Sequence, residues 1–170
     1  QLELSDMTAP ASGWQLLANF DGLTVEPWHG APGVTGGSGY VELSPGSGFV
    51  VLDSRQFSMA FPTVYERSLD YDDFRGTIHI DWDEDAVTLS SSLIEAAGVE
   101  GPVRVLFGLT IPRLPSDVGV EMDLLVGLQN TLAEHRDKYI PHILSETLRP
   151  WLAASIDQGM IEQGGFLWRG

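Results

Sequence analysis

Asp81, Asp83 and Asp85 alternate as in a calcium loop, where side-chain oxygens at the first, third and fifth positions reach one cation. A loop of the EF-hand type also needs Gly at its sixth position and Glu at its twelfth, and here those positions are Ala86 and Ser92. Acidic residues capping a hairpin turn explain the spacing better, because short carboxylates accept backbone N–H groups there. Asp70, Asp72 and Asp73 read the same way. His135, Arg136 and Asp137 spell part of a kinase catalytic loop, but His142 stands where that loop needs Asn, and no glycine-rich loop or lysine strand accompanies it. Ser38 and Ser47 each lie between glycines without the G-x-S-x-G of a nucleophile elbow. His29, His79, His135 and His142 lack metal-ligand spacing, and His79 is expected on the polar face of a strand. Cysteine is absent, which removes disulfides, thiolate sites and cysteine catalysis. A carboxylate pair working as acid and base stays open among 24 acidic residues, although nothing in the sequence selects one. No catalytic residue, metal or cofactor is expected.

What the sequence does contain is a surface. Four strand-length runs place large apolar side chains at alternate positions. Residues 77–83 carry Ile78, Ile80 and Trp82, and residues 86–93 carry Val87, Leu89 and Leu93. Residues 102–112 carry Val103, Val105, Phe107, Leu109 and Ile111, and residues 118–128 carry Val120, Met122, Leu124, Val126 and Leu128. Side chains alternate faces along a strand, so each run has one apolar and one mixed or polar face. A meander of such strands makes a sheet with a continuous apolar surface that something must cover.

Further strands are expected at residues 13–20 and 22–28, at 40–43 and 49–53 around the hairpin loop Ser44-Pro45-Gly46-Ser47-Gly48, and at 56–61. The Gly/Pro-rich stretch 30–39 reads as a connection unable to hold regular structure for long. Residues 83–85 close a second hairpin and residues 98–101 a third. The period changes after Asn130: residues 131–138 read as a connection or short helix, and 143–148 and 150–156 as helical, with Pro150 in a first turn and Gly159 beyond the end. The expected organisation is a β meander over residues 1–130, a connection with helices over 131–159, and the start of a further strand over 160–170.

A formal charge of −15 leaves no basic patch for phosphates, so nucleic acid is not expected as a partner, and adsorption to an anionic membrane surface is disfavoured. No stretch reaches the about 18 consecutive apolar residues of a membrane-spanning helix. Gln1 is followed at once by the alternating Leu2 and Leu4, and the last residues read like the opening of a strand. Both ends are therefore expected to be cuts in something larger, with any targeting sequence or membrane anchor outside this chain. Cut edges invite an artefactual edge-to-edge dimer of the isolated piece.

Several short motifs then form an ordered set. Residues 31–39 (APGVTGGSG), followed by two strands and Leu52-Asp53-Ser54-Arg55, resemble a pattern of the YhdP proteins, large AsmA-like and TamB-related proteins of Gram-negative bacteria. The likeness continues through Phe61-Pro62-Thr63-Val64-Tyr65, through Phe74-Arg75-Gly76-Thr77-Ile78 with Trp82, and through Tyr139-Ile140-Pro141, Trp151-Leu152, Gly159 and Gly170. It spans residues 30–170, is poorer before that, and has Ile140 where the family usually has Leu.

The resemblance implies a periplasmic segment of a parent protein anchored in the inner membrane. Its long twisted sheets would curl into a groove that moves phospholipid toward the outer membrane without catalysis or cofactor. The expected fold is mainly β: an antiparallel, strongly twisted and curved sheet forming an open groove, β-taco-like, with a short kinked helix or helical pair near the C-terminus. Phospholipid acyl chains and the rest of the same polypeptide are the expected partners. The groove candidates are Ile78, Ile80, Trp82, Val87, Leu89, Val103, Val105, Phe107, Leu109, Val120, Met122, Leu124, Val126 and Leu128, while Trp151 and Leu152 are expected to pack on the sheet. Three other readings stay open: a closed β-barrel carrier of a small apolar ligand, which needs only the same alternation, a hydrolase using paired carboxylates, and a scaffolding module that pairs edge to edge.

Overall fold

Alternation of apolar and polar residues produces strands here, and they run further than the apolar runs alone indicate. A computed structural model describes residues 2–4, 13–27, 32–113, 119–140, 142, 145, 147–155 and 158–170. In it the strands are β1 (Leu2–Leu4), β2 (Trp14–Val25), β3 (Gly33–Ser44), β4 (Ser47–Ala60), β5 (Leu69–Trp82), β6 (Ala86–Ser91), β7 (Ile94–Gly98), β8 (Gly101–Pro112), β9 (Glu121–Leu132) and β10 (Met160–Arg169). A 3-10 helix (Ala133–Lys138) and an eight-residue α-helix, α1 (Leu148–Ser155), separate β9 from β10.

All pairings are antiparallel, in the order β1-β2-β3-β4-β5-β6-β8-β9-β10, with β7 also lying between β5 and β8. β6 and β7 are thus two halves of one sheet position, interrupted at Ser92 and Leu93. β1 and β10 are the two edges, and the sheet is open. A closed barrel, one of the alternatives raised by the alternation, is not formed.

Interruptions of the ladder line up across the sheet. In β2 the register shifts between Phe20 and Leu23, beside Gly22 in the left-handed region. In β3 it shifts between Thr35 and Gly39, in β4 Gln56 has a φ of 55°, and β6 and β7 part at Ser92. The register joins these places: Phe20 faces Gly39, Gly39 faces Leu52, and Leu52 faces Gly76 beside the break. Bulges bend strands and increase local twist, so a row of them is a crease.

Each break strands backbone groups, and serine hydroxyls take them up. Ser54 Oγ accepts from the Ser38 N–H at 2.8 Å and donates to the Ser38 carbonyl at 3.1 Å. Ser91 Oγ accepts from the Phe107 N–H, and Ser92 Oγ from the Thr77 N–H. Ser38 Oγ accepts from the Gly22 N–H at the bulge in β2 and donates to Asp21.

Two expectations change at this point. Residues 33–39 are not an irregular connection; they are the first half of β3. Glycine is what lets that strand approach its neighbour: a Cβ at Gly39 would lie 1.9 Å from the Val51 carbonyl oxygen, and one at Gly36 would lie 2.5 Å from that of Gln56. Residues 13–20 and 22–28 are likewise not two strands, since β2 runs through the bulge as one. Nearer the C-terminus, residues 131–132 finish β9, residues 133–138 form the 3-10 helix, and α1 covers most of the second expected helix, while residues 143, 144, 146 and 156 lie outside the described residues. Trp151 does not pack on the sheet; it is 61% exposed. The side chain of Leu152 lies outside the described residues.

Replacing Ser54, which is 1% exposed, leaves the backbone groups of Ser38 buried without their partner. Ser54→Ala is expected to lose about 1–3 kcal/mol in urea unfolding. Ser90→Ala, on the exposed face, is expected to stay within about 0.5 kcal/mol. Equal losses at both positions would mean that the ladder breaks do not depend on the hydroxyl.

Candidate functional site

The register puts every groove candidate within a strand on one face. Ile80 pairs with Leu89, Leu89 with Leu109, and Leu109 with Met122. Trp82 pairs with Val87, Phe107 with Leu124, Val105 with Val126, and Val103 with Leu128. Ile78 faces Val50 and, on the other side, Ser91. Val120 falls just before β9 and is 58% exposed, so it belongs to the rim. Earlier strands continue the rows, through Leu16 and Leu43 in one and Ala18, Val41 and Val50 in the next. Gly48 leaves no gap, because the Leu43 side chain occupies the space a Cβ would take.

The opposite face carries charge. Arg75 and Asp53, Arg104 and Glu95, and Arg169 and Asp123 form cross-strand ion pairs there, on exposed side chains. His79 is exposed on this face, as expected. Asp83 Oδ1 accepts from the N–H groups of Asp85 and Ala86, which makes the Asp81/Asp83/Asp85 spacing a turn cap. Asp70 Oδ1 accepts from the hydroxyls of Ser58 and Ser68.

The crease divides the apolar face into two bands. On one side Phe57, Leu69, Tyr71, Phe74, Ile94 and Ala96 form a buried cluster, with Phe57 and Phe74 stacked at 4.0 Å between ring centres. Val103 is 1% exposed beside it, and Val105 and Phe107 pack against the cluster. Tyr65 and Tyr139 cover it from outside the sheet.

On the other side the rows through Ile78, Ile80, Leu89, Leu109, Met122 and Leu124 are only half-buried. At the far end of this band Trp14 and Trp82 stack at 6.5 Å. Three strand spacings separate β2 from β5, about 14 Å in a flat sheet, so the sheet curls toward its apolar face here.

The cover over the dry band is latched by a group that sequence reasoning missed. Glu100 sits in the two-residue turn between β7 and β8 and is 0% exposed. Its Oε1 accepts from Lys138 Nζ at 2.7 Å and from the Tyr139 hydroxyl, and its carbonyl accepts from the Leu132 N–H. Lys138 also donates to the Asp70 carbonyl and lies 4.1 Å from the centre of the Tyr71 ring. Gly98 gives the carboxylate room, since a Cβ there would lie 2.8 Å from Glu100 Oε2.

Burial pushes the Glu100 carboxyl up, but hydrogen bonds from Lys138 and Tyr139 outweigh it and hold it below the usual carboxylate range. Burial pushes Tyr71 up to about 12, and Tyr139 is raised by burial first and then by Tyr71 and Glu100. An acid in a short turn resembles any surface turn in sequence; only its neighbours Gly98 and Gly101 hinted at a tight hairpin.

The model for the YhdP protein family matches residues 1–170. The chain belongs to the YhdP family. No curated protein and no solved structure gives a significant match.

Several landmarks of this YhdP segment have mechanical roles in the sheet. Asp53 of the Leu52–Arg55 motif pairs with Arg75, Ser54 closes the bulge in β3, and Gly76 makes space for Ile94. Tyr139 is part of the latch, and the Gly159 carbonyl accepts from the Ala133 N–H at the start of the 3-10 helix. Among the described residues, no helix of the YhdP segment is long and apolar enough to cross a membrane, and no group of three His, Cys, Asp or Glu is placed to hold a metal ion.

Glu100 contributes stability above its unfolded pKa of about 4.3, and that contribution is lost as the pH falls through the lower folded value. In urea unfolding, the stability gap between the native chain and Glu100→Gln is expected to narrow below about pH 4. A gap that holds constant down to about pH 3 would show that the Glu100 carboxyl titrates alike in the folded and the unfolded chain. Lys138→Met leaves the buried carboxylate without its cation and is expected to cost about 3–5 kcal/mol in the same measurement.

Proposed function

We propose that the half-buried band of the apolar face solvates phospholipid acyl chains, as one section of a lipid-conducting groove between the inner and outer membranes. The observation that carries this reading is the continuity of the apolar rows from β2 to β9 with half-buried side chains. Six strand spacings along such a row amount to about 29 Å, close to the about 30 Å thickness of a bilayer's hydrocarbon core.

Removing an acyl chain from water is favourable by about 0.8 kcal/mol per methylene. A row of interchangeable aliphatic side chains offers that gain everywhere along its length, so a chain can advance without first leaving a deep well. Membership of the YhdP family supports the lipid role and an envelope setting. The periplasmic location, the inner-membrane anchor of the parent protein and the absence of a chemical step belong to the same reading. The remainder of the polypeptide would extend the groove.

In this reading the candidates take different roles in the two bands. Ile78, Ile80, Trp82, Val87, Leu89, Leu109, Met122 and Leu124 are the lipid-facing set in this reading. Val103 is core, Val105 and Phe107 are its boundary, and Val126 and Leu128 continue that boundary toward β10.

A photo-crosslinking residue at position 80, 109, 122 or 124 is expected to capture phospholipid when the protein is purified from membranes. Positions 88 and 123 on the charged face, and position 103 in the core, are expected to capture little. Equal capture on both faces, or none at any of these positions, would overturn the reading.

A further inference from the structure

A cavity of about 1250 Å³ lies at the latched end of the sheet. Its volume exceeds the range of about 300–1,000 Å³ usual for small-molecule sites. The connection between β4 and β5 forms one wall, and the 3-10 helix with Ile140 and His142 forms the other. Phe57 and Tyr71 of the buried cluster reach it, so an apolar floor meets polar walls.

The walls hold both charges in unequal number. Glu66, Asp70, Asp72, Glu134 and Asp137 line the cavity, against Arg67 and Lys138. Lys138 is already paired with Glu100. That ammonium sits between a carboxylate, a backbone carbonyl and an aromatic ring, the surroundings in which a ligand ammonium is also held. His142, on the same wall, has its Nδ1 buried with no hydrogen-bond partner among the described residues, which leaves a polar atom for a ligand to satisfy.

We propose that this cavity is a headgroup subsite for a zwitterionic, amine-bearing phospholipid, taking the ammonium against the acidic wall and the phosphate toward Arg67. The inference rests on the lipid-binding reading above and deepens it by naming the class of headgroup. An anionic headgroup would bring a further negative charge to a wall that already has an excess of them, and such like-charge contacts are unfavourable.

The test is native mass spectrometry of the full chain with an equimolar mixture of phosphatidylethanolamine and phosphatidylglycerol carrying the same acyl chains. An excess of the ethanolamine adduct of about tenfold is expected, equivalent to one charge contact of about 1.4 kcal/mol. Asp72→Asn combined with Asp137→Asn removes charge at two exposed positions of this wall and is expected to bring the adducts near parity, chiefly by lowering the ethanolamine adduct. Equal adducts on the native chain, or a preference untouched by the double substitution, would overturn the headgroup subsite while leaving the acyl-chain groove standing. No adduct of either lipid would remove both readings. Soluble phosphoethanolamine, added in excess, is expected to erase the preference without releasing the lipids. If it instead binds as well as the lipid does, the site serves a free amine and the lipid assignment fails.

Discussion

A β-sheet bends sharply only where its ladder is broken, and every break leaves backbone donors and acceptors that must find partners. This chain meets that constraint with two small residues. Glycines at positions 36, 39 and 76 let neighbouring backbone and side chains come closer than a Cβ allows, and serines at 38, 54, 91 and 92 supply the hydrogen bonds that the ladder gives up. The breaks fall in one row, so they add up to a crease rather than to scattered irregularities. Remove that alignment and the apolar face has no reason to divide into a dry band and a half-buried one.

The two bands are held by different forces. Aromatic packing and a buried ion pair secure the dry one, where Glu100, Lys138 and Tyr139 tie the cover to the turn between β7 and β8. Such a pair contributes little net stability in its own right, because desolvation offsets most of the attraction. Its value is specificity: an unpaired carboxylate in that turn is costly, so the cover has one place to sit. The half-buried band has only the curl of the sheet, with Trp14 on Trp82 at its far end.

Period-two alternation survives any neighbour, which is why the strands around Ile80, Leu109 and Met122 were legible in the sequence and their shared face followed. The glycine-rich half of β3 was not, because glycine looks the same in a loop and at a close approach between strands; only the neighbouring strand, whose Val51 carbonyl oxygen lies where a Cβ at Gly39 would stand, tells them apart. Trp151 misled for a different reason. A large aromatic in a short helix suggests a core contact, yet the residue stays exposed. Glu100 was invisible because its burial is created by Lys138 and Tyr139, about forty residues away in sequence, and no local pattern encodes a distant partner. The split between core and half-buried candidates was hidden likewise, since Val103 and Leu109 alternate in one strand and differ only in what lies above them.

Each sheet position is taken by the next stretch of chain, with β6 and β7 sharing one. Wiring of this kind has no crossovers, so each strand can add to an edge already in place and loop closure stays inexpensive in entropy. It also leaves length unconstrained. A hairpin inserted at an edge would extend the apolar rows by two strands without rethreading those already paired, provided it carried its own glycine and serine at the crease. The reach of such a sheet is therefore a quantity that can be adjusted in steps, independently of its cross-section.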